Sequence, residues 1–174
     1  MDLSTTMLIS LVCEMSLTAD LSAEPSSTLK LTLSDKLADG VAADQADLLY
    51  FDSDTCLASA TTPYDLDTSL TDVYGVAADF ARVKAVMFEN TSATLATFEV
   101  GPHSNGTPWA GCLTSAGGAT GNEAEVVLPG GAFLWYTPDA TAWAVGAGAT
   151  DILEIFESAV LAGAWDIMFI GATA

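Results

Sequence analysis

Cations are scarce in this sequence. Of its 174 residues four are Lys or Arg, against 23 Asp or Glu, and the formal net charge is −19 at pH 7. A nucleic-acid binder needs a cation for each phosphate contact, and Lys30, Lys36, Arg82 and Lys84 do not make a basic stripe. Nucleic acid and anionic membrane surfaces are therefore not expected as partners. Histidine is scarcer still. His103 is the only one, in a Gly-Pro-His-Ser-Asn-Gly stretch, and no Gly-x-Ser-x-Gly elbow accompanies it. A hydrolase triad or a His-based zinc site needs more than that, so His103 reads as an exposed loop residue.

Cysteine is limited to Cys13, Cys56 and Cys112, an odd number far apart without a Cys-x-x-Cys pair. A disulfide scaffold is excluded, because a chain of this size builds a core without one. The three read as small buried hydrophobes, with a single disulfide left open. No run of about 20 apolar residues is present, so no spanning helix is expected. No cation precedes Lys30, so the positive region of a secretory signal is missing. Val12 is too large to precede a lipidated Cys13. Gly117-Gly118 and Gly130-Gly131 lack the following helix that a phosphate-binding loop requires. No cofactor and no catalytic residue is expected.

What is present is a core. The chain is 51% hydrophobic, enough for one globular domain. Apolar residues come in short, often alternating runs, the mark of strands. Leu29, Leu31 and Leu33 alternate with Lys30, Thr32 and Ser34, predicting a strand with one buried face. In the stretch 46–58, Leu49 and Phe51 face one way and Leu48 and Tyr50 the other, until Thr61 to Pro63 interrupts the pattern. Leu66 to Leu70 reads as short and extended. The strongest strand is 80–90. There Val83, Ala85 and Met87 share one face and Val86 and Phe88 the other, as in a central strand. Leu95 to Val100 is expected to follow as its hairpin partner after an Asn90-Thr91-Ser92 turn. Further strands are predicted over 123–128, 132–136, 141–145, 151–156 and 165–170. Eight to ten short strands separated by turn residues predict an all-β antiparallel sandwich or barrel, jelly-roll-like. Residues 7–18 fit a strand or a short helix, and Ser22 to Thr28 fits a linker. The expected division is an N-terminal arm or additional strand over 1–27 and one β-domain over 28–174.

Chemistry-bearing clusters are weak. Asp52 with Asp54, and Asp65 with Asp67, offer oxygens to calcium, but neither has the twelve-residue loop spacing. They read as solvated acids, and no metal is expected. Among 23 acids some pair always lies close, so proximity alone does not point to a glycosidase. Trp135, Trp143 and Trp165 lie in strand patterns and are expected in the core. Trp109, beside Pro108 in the uncharged loop 101–122, is expected as an exposed contact residue. The uncharged stretch Leu3 to Cys13 holds Met7, Leu8, Ile9, Leu11 and Val12. Like charge repels neighbouring copies, so these five residues are the expected apolar contact to a partner.

Several segments occur in a familiar order: Ala43-Asp44-Gln45-Ala46-Asp47, Asp65-Leu66-Asp67, Leu70-Thr71-Asp72-Val73-Tyr74-Gly75 and Phe80-Ala81-Arg82-Val83-Lys84-Ala85. Gly40, Pro129-Gly130-Gly131-Ala132, Pro138-Asp139-Ala140-Thr141, Trp143-Ala144-Val145 and Trp165-Asp166-Ile167-Met168-Phe169-Ile170-Gly171 complete the set. In these residues the chain resembles a family of small β-rich virion proteins of tailed bacteriophages, over about residues 28 to 174. The resemblance implies a non-enzymatic structural protein with no catalytic residues to carry over. It is expected to be made in the host cytoplasm and to act on the capsid exterior as a decoration (cement) protein. The expected partners are the major capsid protein or other virion proteins, and further copies of the chain, with a trimer favoured. A tail, baseplate or fibre component meeting a receptor or carbohydrate through Trp109 is the alternative.

Overall fold

The structure is a computed structural model that describes residues 3–16, 26–72, 74–101, 109, 111–113, 124–146 and 151–174. Of residues 14–16, 26, 27 and 113 it describes the backbone only. His103 and most of the loop 101–122 lie outside the described residues.

Among the described residues eleven strands form three antiparallel sheets. The first two, β1 (Thr5–Ser16) and β2 (Ser26–Leu37), pair with each other in one long hairpin. The body is a sandwich and not a closed barrel. Its larger sheet runs in the order β3 (Leu48–Cys56), β11 (Gly163–Ala172), β5 (Arg82–Asn90), β8 (Ala132–Tyr136), with β9 (Trp143–Ala144) on β5. The second runs β4 (Thr61–Asp65), β10 (Ile152–Glu157), β6 (Phe98–Val100), β7 (Glu125–Val127).

Alternation explains the core between these two sheets. On β11 the inward residues Trp165, Ile167 and Phe169 are fully buried, as expected for a strand with one face on the core. They meet Val86 and Phe88 from β5, Tyr50 from β3, and Tyr64, Phe98, Leu153 and Ile155 from the opposite sheet. Phe88 is 0% exposed and stacks on Phe133, with Phe98 edge-on at 5.8 Å. The strand 82–90 is central, as its pattern predicts. One face differs from expectation. The register shifts between Ile170 and Gly171, opposite Ala85 and Val83. The extra residue turns Val83 into the main core beside Val86 and Phe88, while Ala85 stays on the outer face. Lys84 sits at this bulge, fully buried, and its Nζ donates to the Ala42 carbonyl.

Three further expectations are corrected. The segment Thr61 to Pro63 does not break the chain but belongs to β4, an edge strand. An edge tolerates Pro63, because its missing N–H removes no bond from the sheet interior. Leu66 to Leu70 is a turn rather than extended chain. The Asp65 carboxylate accepts from the Thr68 N–H, the Thr68 hydroxyl and the Ser69 hydroxyl and so closes it. Residues 98–100 do not pair with β5 as a hairpin; they cross to the other sheet, between β10 and β7. Buried Asn90 holds that crossing, with Nδ2 donating to the carbonyls of Ala96 and Val127 and Oδ1 accepting from the Ser92 N–H.

Candidate interaction surface

Most polar side chains inside the body serve the fold. The fully buried Glu157 carboxylate accepts from the backbone N–H groups of Ser59, Ala159 and Leu161, tying two loops together. Asp47 accepts from the Thr173 N–H and hydroxyl near the C-terminus. Burial alone would raise the Asp65 carboxyl, yet the bonds from Thr68, Ser69 and Asp67 together hold it below its ordinary value. Burial, with Arg82 adding to it, lowers the Lys84 amine, while Asp139, Asp44 and Asp47 oppose. Asp54 accepts from Thr55 N–H, and Asp52 from the Tyr50 hydroxyl and the Ser53 N–H. Among the described residues no three His, Cys, Asp or Glu side chains gather to hold a metal ion.

The three cysteines are free. Cys56 and Cys112 are half-buried against the core, and burial raises both thiols, Cys112 to about 12. Neither is poised as a thiolate nucleophile. Cys13 departs from expectation: it is exposed on β1. Trp109 is a second correction. It is 2% exposed and belongs to the core, its Nε1–H donating to the Ala144 carbonyl at 3.0 Å. A large ring with a satisfied N–H gains more from burial than from solvent. Trp165 is buried as expected, and Trp135 and Trp143 pack against the same core.

The hairpin β1–β2 is the surface that remains. Each strand has twelve residues, so the ribbon is about 40 Å long. Among the described residues only its open end is anchored. Leu37 is buried with Ala85 and Ile170 on the outer face of the larger sheet, and Leu3 packs beside them. The Leu3 N–H donates to Asp39, and the Tyr136 hydroxyl donates to Asp35 at 2.5 Å. Beyond this base the register opposes Ile9 to Leu33, Leu11 to Leu31 and Cys13 to Leu29. Directly opposed residues share a face, so these six form a continuous apolar ladder on one side. That side is bare: Leu29 is 67%, Leu31 65% and Leu33 50% exposed. The alternation of these leucines is therefore a strand, as predicted, but not one with a buried face. The opposite side carries Thr6, Ser10, Thr28, Lys30, Thr32, Ser34 and Lys36 around Leu8 and Val12.

The five contact residues predicted on β1 are thus divided. Met7, Ile9 and Leu11 lie on the ladder side, and Leu8 and Val12 on the other. Leu29, Leu31 and Leu33 are the members that sequence reasoning placed inside the body. The signal for them was two alternating runs in mirror order around a segment of turn-forming residues, the pattern of a hairpin. The pairing carries residues 26–37 with β1, so the expected boundary at residue 28 falls within β2.

A second apolar surface lies on the body beside the hairpin base. On the outer face of β3, Leu49 and Phe51 are exposed. With Leu3, Leu48, Tyr74 and Val76 they line a groove of about 390 Å³, with Asp47 and Asp72 also in its lining. Comparisons with family models, curated proteins and solved structures return no match for this chain.

Proposed function

We propose that this protein is a non-enzymatic structural component of a tailed-phage virion, a decoration protein on the outside of the capsid. The single observation that carries an assembly role is the hairpin: a ribbon about 40 Å long with one apolar side left in solvent. A two-stranded hairpin is marginal in water by itself and needs a third layer or a partner over its apolar face. The resemblance in the turn and strand segments supplies the virion setting. The acidic surface supports an exterior position, since like-charged subunits stay soluble until apolar contact overrides repulsion. Many copies acting together hold a shell through avidity without a tight individual site.

Carbohydrate recognition at a fibre tip loses its main support, because that reading rested on an exposed Trp109. Quantitative mass spectrometry of purified particles tests the proposal. Hundreds of copies per particle are expected; a handful places the protein in the tail, and none removes it from the virion.

A further inference from the structure

We infer that the apolar side of the hairpin docks in the β3 groove of a second copy of this chain. The inference extends the structural reading above by naming the arm's partner, and it does not depend on the particle.

Two observations select that occupant. The first is continuity. The ladder side that is bare beyond Asp35 is the side that at Leu37 already packs on the outer face of the larger sheet. That face is therefore a surface this ribbon fits, and its β3 half is left open at Leu49 and Phe51.

The second is area. The free part of the arm is about 30 Å long and about 10 Å wide. Two arms laid face to face bury roughly 600 Å², below what stable interfaces need. Reciprocal docking of each arm in the other's groove buries about twice that, on the order of 1,200 Å², at the lower bound of stable interfaces. Arm and groove are different patches, so the contact closes by twofold exchange or by a small ring.

Sedimentation of the purified full-length chain at about 10 µM, a concentration that detects ordinary affinities, tests this with no particle present. The wild type is expected as a dimer or small ring. Leu31→Asp with Leu33→Asp on the arm, and separately Phe51→Asp in the groove, are expected to give monomers. All three sites are exposed, and circular dichroism checks the fold; serine replaces aspartate in any variant that does not fold. Mixing the two variants leaves one intact arm with one intact groove, half of the reciprocal contact, and association weaker than the wild type's but stronger than either variant's alone is expected to return. Each lesion alone should weaken association by about tenfold or more. A monomeric wild type overturns the inference. So does an oligomer that survives Phe51→Asp, which means the arms pair with each other, or one that survives the arm variant. Absence from particles with self-association intact would instead remove the virion reading and leave this one standing.

Discussion

The Tyr136 hydroxyl donates to the Asp35 carboxylate across 101 positions of sequence, and this bond clamps the hairpin arm to the sandwich. It lies one turn of the pleat from Leu37, the last arm residue buried on the body. Farther out the ribbon has no described hydrogen bond to the body. The clasp thus sets where the fixed base ends and the free arm begins.

The clasp makes the base of the arm pH-sensitive. The Tyr136 hydroxyl, with the Lys36 N–H, lowers the Asp35 carboxyl below its ordinary 3.8. A depressed carboxyl stabilises the folded form above the unfolded value and loses that contribution as pH falls through the folded one. Burial and the Asp35 bond raise Tyr136 above its ordinary 10.0, so its contribution is complete below pH 10 and fades as pH rises through the raised value. Hydrogen exchange of the amides of residues 35–37 should be slowest between about pH 4 and 10, after correction for intrinsic rates. Tyr136→Phe should speed it throughout that window. Unchanged protection in that variant would show that Leu37 alone anchors the arm.

Phe88→Ala removes a ring that stacks on Phe133 and meets Phe98 and Trp165 in the core. Lost transfer energy and the resulting cavity should cost about 3–5 kcal/mol. For a chain of this size the melting temperature should drop by at least about 6 °C. A drop under about 2 °C would mean that the core closes around the gap.

Asn90→Ala should destabilise by a different route. It leaves the carbonyls of Ala96 and Val127 and the N–H of Ser92 without their side-chain partner. Unsatisfied buried groups cost about 1–3 kcal/mol each, so a loss of at least about 2 kcal/mol is expected in denaturant titration. Asn90→Asp keeps the acceptor but loses the donors, and should rescue little.

Removing residues 1–34 should leave the sandwich folded, because β1 and β2 pair only with each other among the described strands. Asp35 and Leu37 remain to cover the outer face. The shortened chain should melt within a few degrees of the full one, be monomeric, and fail to stay on particles. Loss of the folded state would make the hairpin an integral layer of the body.

Association of the full chain should strengthen with salt. Each copy carries a net −19. At 0.01 M salt the Debye length is about 30 Å and the repulsion spans a subunit, whereas at 0.15 M it is about 8 Å. The dissociation constant from sedimentation should therefore fall between those salts. A rise would mean that attraction between unlike charges, not apolar contact, holds the copies together.

Alternation by itself determined that this chain is all-β, a sandwich or a barrel, because a period of two fixes which residues of a strand share a face; the sheet pairing made it a sandwich. It placed Phe88 and Val86 inside, and the uncharged run Met7 to Val12 in an N-terminal contact segment. It did not determine what covers each face. Leu29, Leu31 and Leu33 read as buried because local pattern records polarity, not neighbours; only pairing with β1 put them on a ribbon that leaves the body. Val83 changed faces at a bulge that no local pattern marks. Trp109, in a loop by composition, became core because the indole found the Ala144 carbonyl and the apolar interior together. Sequence sets the preference of each residue for water or for its own kind. The partner that satisfies the preference is a long-range contact, and only the tertiary structure chooses it.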